Sequence, residues 1–173
     1  MQAAQTKERS ASDLKKEIQG LMGKHHLNLC LECGKCSAVC PMVNFYGEFV
    51  HTRCTRSVVE RLCFDPESIA DEALWYCWAC MECTFYCPSG VDFQNFMIGF
   101  RQLLVSHGHS EYAHFCKACG TYLMPKKQLE YLEATFGDTN GNQELLYECP
   151  NCKKGRVADS MARVGGFVLR RIR

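Results

Sequence analysis

The chain has 173 residues, 14 of them cysteine, with 23% charged residues and a formal net charge of +1, a length that suits one domain with a small appendage. The near-neutral balance argues against coating a phosphate backbone, and no apolar run reaches the ~18 residues of a membrane-spanning helix. The polar start MQAAQTKERSASDLKKE lacks the apolar core of a signal peptide, so a cytoplasmic location is expected; there thiols stay reduced, and fourteen of them point to metal rather than to packing.

The first predicted element is an amphipathic helix over 12–22, with Leu14, Ile18, Leu21 and Met22 on one stripe, Ser12 as its N-cap and Gly23 as its stop. Its apolar face is read as packing against the rest of the chain rather than docking on a partner. Next come Cys30, Cys33, Cys36 and Cys40 in CLECGKCSAVCP, closed by Pro41. The stretch 52–63, TRCTRSVVERLC, has no Gly or Pro and suits a helix with Val50, Cys54 and Val58 on one stripe. At about 100° per residue Cys54 and Cys63 face opposite ways. They cannot chelate one ion from one helix and are read as buried reduced thiols. Asp65-Pro66-Glu67 marks a turn and a helix start. Cys77, Cys80, Cys83 and Cys87 in CWACMECTFYCP, closed by Pro88, then repeat the C-x2-C-x2-C-x3-C-P spacing 47 residues after the first run.

That doubled run points to two cubane 4Fe–4S clusters. In such runs three closely spaced thiolates wrap one cluster and the fourth, three residues further on, ligates the other. The expected sets are Cys30, Cys33, Cys36 with Cys87, and Cys77, Cys80, Cys83 with Cys40. Zinc sites favour C-x2-C pairs over four-cysteine runs, a disulfide framework needs an oxidising compartment, and no C-x-x-C is followed by the His of covalent haem.

After Pro88, the residues Phe93, Phe96, Met97, Phe100, Leu103 and Leu104 recur at helical spacing and Gly108 is a terminator. This face is read as the core that covers the clusters. Cys116 and Cys119, then 29 residues, then Cys149 and Cys152 form two knuckles of a zinc-ribbon-like site. Mononuclear iron of the rubredoxin type is its rival, because tetrahedral sulfur accepts either metal. His109 and His114 precede the first knuckle but read as surface or capping residues, since four cysteines already fill the shell. A short helix over 128–136, a turn at 137–142 and a strand at ELLYE complete this part. The tail carries Arg163, Arg170, Arg171 and Arg173 interleaved with Phe167, Val168, Leu169 and Ile172, a pattern suited to docking on a larger subunit.

Two such runs separated by helices resemble an alpha-helical ferredoxin domain, of the type found in the iron–sulfur subunit of succinate dehydrogenase. The segments LNLCLECGKCSAVCPM and ALWYCWACMECTFYCPSGVDFQNFMIGFRQ more closely resemble the C component of heterodisulfide reductase, over roughly residues 20–108. The resemblance implies a wire within a larger hetero-oligomer. It would run between the flavin- and cluster-rich A component of heterodisulfide reductase and the B component with its cysteine-rich CCG motifs. The knuckles at 116–152 depart from that pattern.

The expected fold class is therefore mainly α. An N-terminal helix or docking segment over 1–24 precedes an alpha-helical two-cluster ferredoxin domain over 25–110, a small rubredoxin-like or zinc-ribbon module over 111–156, and a basic tail over 157–173. The expected function is electron transfer with no catalytic residues of its own, because all eight positions of the two runs are cysteine and no nucleophile–base pair or phosphate-cradling loop stands out. The alternatives are a subunit of another redox complex, a free ferredoxin, or a zinc- and cluster-containing nucleic-acid-binding protein, which the neutral charge opposes.

Overall fold

A computed structural model describes residues 11–64, 71–136 and 143–165. The chain divides into two units, Met1–Tyr112 and Ala113–Arg173, and the described residues are mainly helical.

In the first unit, α1 spans Ala11–Lys24 and buries Leu14 and Ile18 as its periodicity predicts. Both ends differ from the sequence reading: Ser12 lies inside the helix, and the helix runs through Gly23. Tertiary bonding carries it past the glycine. The His25 N–H still donates to the Leu21 carbonyl, while the His25 carbonyl accepts the Asp92 N–H at 3.1 Å. The left-handed residue that ends the run is His26, with φ 60°.

The chain then makes a 3-10 turn at Leu27–Leu29, the short helices α2 (Lys35–Ala38) and α3 (Met42–Tyr46), and a second 3-10 turn at His51–Arg53. Helix α4 covers Thr55–Phe64, close to the span read from its composition. Cys54 and Val58 are fully buried, but Cys63 is exposed, which corrects its reading as a buried thiol. The reason is the half-turn between the two: α4 packs through Thr55, Val58, Val59 and Leu62, and its far face meets solvent. The turn expected at Asp65-Pro66-Glu67 falls outside the described residues.

A 3-10 turn at Glu72–Trp75 is capped by the Asp71 side chain, which accepts the Ala73 N–H at 2.8 Å and is ion-paired to Arg61. It leads through α5 (Glu82–Phe85) to α6 (Phe93–Ser106). Phe93, Phe96, Met97, Phe100 and Leu104 are at most 1% exposed and form the centre of the core, with Phe96 and Phe100 stacked at 5.4 Å. Each such side chain contributes about 1.5–3 kcal/mol by leaving water. Gly99 lets α1 approach α6: a Cβ there would stand 3.3 Å from Leu21 Cδ1. Gly108, at φ 90°, completes the stop expected of it.

In the second unit, β1 (Ala113–Phe115) and β2 (Tyr122–Pro125) pair antiparallel, with Ala113 opposite Pro125 and Phe115 opposite Tyr122. Helix α7 spans Lys126–Phe136 and buries Leu129. The segment read as a strand at ELLYE is a 3-10 turn, Gln143–Tyr147. It is pinned from the side rather than by a ladder. Tyr147 accepts the Lys117 N–H at 2.9 Å, holds the Lys117 ammonium 3.8 Å over its ring, and donates its hydroxyl proton to Glu133. Helix α8 spans Pro150–Gly165, so the helix crosses the expected boundary at 156 and carries exposed Arg163. The turn at 137–142 and Phe167, Val168, Leu169, Arg170, Arg171, Ile172 and Arg173 lie outside the described residues.

Asp92 joins helix start and core. Its carboxylate accepts the Asn95 N–H at 3.4 Å and lies 3.2 Å from His25 Nδ1. Partial burial works against the charge, but the bonds from Asn95 and His25 outweigh it and hold the carboxyl below its ordinary value. The folded value lies below the unfolded one, so this stabilisation is present above the usual carboxylate range and is lost as pH falls through the depressed value. Asp92→Ala is expected to cost about 1 kcal/mol. In thermal unfolding that penalty should persist at every pH above about 5, well clear of the free carboxyl near 3.9.

Candidate metal centres

The two cysteine runs fold alike. In the first, Glu32 and Gly34 have φ 51° and 75°; at the equivalent places in the second, Ala79 and Met81 have φ 52° and 78°. The left-handed pair reverses the chain around the second cysteine of each run and starts a one-turn helix, α2 or α5, that carries the third. Three of these four residues are not glycine, and each such residue costs about 1–2 kcal/mol. That cost persists only where surrounding structure over-determines the conformation. Here Gln94 on α6 donates its side-chain N–H to the Ala79 carbonyl at 2.9 Å, and its backbone N–H bonds Thr84 Oγ1 at 3.0 Å. Helix α2 packs on α5 and α4, and α5 packs on α6.

This arrangement interleaves the sulfurs. One cavity is lined by Cys30, Cys33, Cys36 and Cys87, together with Glu32, Lys35 and Arg56. The other is lined by Cys77, Cys80, Cys83 and Cys40, together with Met42, Phe45, Trp78 and Tyr76. Around the second, Phe45 and Trp78 stack at 4.2 Å, the Trp78 indole N–H donates to Tyr46 Oη at 3.0 Å, and the Tyr46 hydroxyl donates to the Tyr76 carbonyl at 2.9 Å. Burial pushes the Cys83 thiol up to about 12 and Cys40 up to about 11, and raises Cys36 and Cys77. Thiolate in these cavities therefore needs a cation. Some help is built in: the Ala79 N–H donates to Cys77 Sγ at 3.3 Å and the Val91 N–H to Cys87 Sγ at 3.4 Å. Bonds of this kind also set cluster potentials. Four thiols around each space, an apolar wall and N–H groups aimed at sulfur fit an iron–sulfur cluster.

The knuckle cysteines form a different site. The Sγ atoms of Cys116, Cys119, Cys149 and Cys152 all lie within 4.8 Å of one another. Tetrahedral zinc at 2.3 Å from each sulfur separates its ligands by about 3.8 Å, and Cys119 and Cys149 Sγ are 3.6 Å apart. Cys116 and Cys119 sit in the turn of the β1–β2 hairpin, where Gly120 has φ 69°. Cys149 precedes α8 and Cys152 lies in its first turn, so the second knuckle is a helix start. The Cys149 N–H, 3.2 Å from Cys116 Sγ, pulls that thiol down to about 6. The Thr121 hydroxyl, 3.2 Å from Cys119 Sγ, and the Thr121 backbone lower Cys119. Sharing its proton with Cys149 and Cys119 pushes Cys152 up to about 12. A partly ionised, converged four-sulfur set can hold a metal ion without further protein ligands. The set does not include His109 or His114; the His114 ring lies edge-on to Tyr147 at 5.4 Å.

Sequence reasoning passed over Tyr46, Trp78, Gln94 and Arg101. Arg101 had a signal, because Phe93, Met97 and Arg101 fall at i, i+4 and i+8 and place an arginine within the apolar stripe of α6. The structure buries it to 3% exposure.

Residues 26–91 match the family model of a 4Fe-4S dicluster domain, and residues 1–43 match a second model of the same description. Both matches to iron–sulfur dicluster models thus fall in the first unit. Among curated proteins, the chain is similar to a heterodisulfide reductase C-component-like protein of Archaeoglobus profundus, 28% identical over 56% of this chain and 52% of that protein. It is also similar to the C component of ferredoxin:CoB-CoM heterodisulfide reductase from Methanosarcina mazei, 29% identical over 49% of this chain and 50% of the relative. The Methanosarcina acetivorans counterpart is 27% identical over 47% of this chain and 32% of its own length. The chain therefore spans about half, or less, of the length of these relatives, and the likeness is to the C component. No solved structure matches it. Among the described residues, no helix is long and apolar enough to cross a membrane.

Replacing Cys149 with Ser should remove one metal ion per chain while sulfide stays at its wild-type content. Elemental analysis of the purified protein checks it, and an unchanged total would mean that the four sulfurs hold no ion.

Proposed function

We propose that the chain is an electron-relay subunit holding two 4Fe–4S clusters. One lies on Cys30, Cys33, Cys36 and Cys87, and the other on Cys77, Cys80, Cys83 and Cys40. Cys116, Cys119, Cys149 and Cys152 hold a structural Zn²⁺. The observation that carries the reading is the interleaving of the runs, which gives each cavity three sulfurs of one run and the fourth of the other. Likeness to the C component of heterodisulfide reductase supports a relay within a complex of that type. In that complex the chain links a flavoprotein resembling the A component with a CCG-motif protein resembling the B component, in the cytoplasm.

When bound, each cluster supplies one-electron redox chemistry. The protein's part is ligation, burial and orientation. The cysteines fix each site, the Ala79 and Val91 N–H groups offset charge on sulfur, and the stacked Phe45–Trp78 pair walls one side of the second site. The zinc-type site, with all four positions filled by cysteine, is closed to substrate, which suits a structural role.

Replacing Cys87 with Ala should alter the magnetic resonance signal of the cluster held by Cys30, Cys33 and Cys36 and spare the other. If only the signal dependent on Cys77 changed, the crossed assignment would fail. Anaerobic affinity purification from the native host should bring down a flavoprotein and a CCG-motif protein. A solitary protein with about eight iron and eight sulfide, as two cubanes require, would keep the clusters and remove the complex.

A further inference from the structure

Arg101 on α6 is 3% exposed, and a guanidinium stays charged in proteins. Its Nη2 donates to the Leu74 carbonyl at 2.9 Å and to the Cys77 carbonyl at 2.7 Å, and the group lies 5.8 Å from the centre of the Trp75 ring. Its Nε has no hydrogen-bond partner. Among the described residues no carboxylate lies within ion-pair distance, whereas Arg53, Arg56, Arg61 and Arg156 each have one. A buried cation bonded only to neutral carbonyls is strongly disfavoured unless an anion lies near. The backbone it grips is that of Cys77, a wall of the second cavity.

The first cavity has no equivalent. Its arginine, Arg56, is one-third exposed and bound to Glu60 at 2.9 Å and Glu32 at 3.6 Å, so its charge is cancelled and screened. Lys35 and Glu32 there are exposed, as is Glu82 at the second cavity, and Arg53 at the second is paired with Glu48. The two sites therefore share a thiol set and a backbone fold but differ by one uncompensated interior charge.

We propose that Arg101 is the counter-charge of the cluster on Cys77, Cys80, Cys83 and Cys40 and raises its reduction potential above that of the cluster on Cys30, Cys33, Cys36 and Cys87. This rests on the two-cluster reading above. Adding an electron makes a thiolate-ligated cluster more negative, and a fixed cation in a low-dielectric setting favours that state. Electrons delivered to the first cluster then run downhill to the second, which gives the relay a direction. Arg101 is a positioning and tuning residue, since it acts through the Cys77 segment and not as a ligand.

The test is a redox titration of the full-length, cluster-loaded protein, followed by magnetic resonance, with each signal assigned by Cys40→Ser and Cys87→Ser. In the wild type the signal that depends on Cys40 should have the higher potential. Arg101→Met should lower it by at least a tenfold change in the oxidised-to-reduced ratio, about 59 mV for one electron, and leave the other signal in place. Arg101→Lys, which keeps the charge and loses the fork of donors, should retain most of the wild-type value. The proposal is overturned if Arg101→Met moves neither signal or both equally, or if Arg101→Lys falls as far as Arg101→Met. Should Arg101→Met fail to load the second cluster, the wild-type order and the lysine variant decide, and a reversed order overturns it. Iron and sulfide in the wild type sufficient for only one cluster would instead sink the two-cluster reading, and this inference with it.

Discussion

The constraint on which the first unit depends is that neither cysteine run lines its cavity alone. Cys87 closes the cavity of the first run and Cys40 that of the second. The runs must therefore meet across the segment that holds α3 and α4, and the entropy of closing that loop is recovered only when both sites form. This explains why the secondary structure near the sulfurs is so short. α2 and α5 are single turns with no buried residues of their own, and they are held by their mutual packing, by α4 and by α6. Four left-handed residues, three with side chains, are kept at equivalent places for the same purpose. Metal loading and folding are coupled in such a design, because the ligands converge only in the folded chain and must give up protons to bind.

The two kinds of sulfur site differ in how far the protein prepares them. In the interleaved cavities burial dominates, and the thiols of Cys40 and Cys83 rise to about 11 and about 12. Such a site favours neutral thiols until an iron core supplies compensating charge. Around the knuckles, backbone N–H groups and the Thr121 hydroxyl reach the sulfurs, and Cys116 falls to about 6. That site is partly ionised, with Cys116 and Cys119 lowered and Cys152 raised, and its geometry is converged before an ion arrives. A preformed four-sulfur set binds a simple divalent ion at little reorganisation cost, whereas the cavities suit a polynuclear core whose assembly displaces several protons.

Much of this was legible in the sequence, for reasons that differ by element. The cysteine spacing pointed to the cavities because ligand geometry is local within a run, and the fourth position is expected from how a three-residue step turns a thiol away from the first three. Helices α1 and α6 were legible because each buries a stripe at helical period, and α7 because its pattern places Leu129 inside. Two of the failures share a cause, which is tertiary bonding that local pattern does not contain. Gly23 did not end α1 because His25 is anchored to Asp92. ELLYE has the composition of a strand, yet β1 and β2 pair with each other and Tyr147 is fixed by Lys117 and Glu133. Cys63 was assigned to the interior on residue type, although the half-turn that separates it from Cys54 already placed it on the opposite face of α4. Cys54 alone is interior, 3.3 Å from Ser37 Oγ.

Helix α6 shows why stability and electron transfer cannot be tuned separately in this fold. One face supplies Phe93, Phe96, Met97, Phe100 and Leu104 to the core. The same helix holds the second run through Gln94 and Arg101, and its cap, Asp92, ties it to α1 through His25. An apolar replacement of Arg101 removes the cost of a buried cation, which can favour the metal-free fold, yet it frees two carbonyls beside a ligand and takes away a charge that the reduced site uses. The interior therefore retains an arginine where packing alone would select leucine or methionine. A negative group in the neighbouring cavity would offset that cost, which the two carbonyls and the Trp75 ring meet only in part.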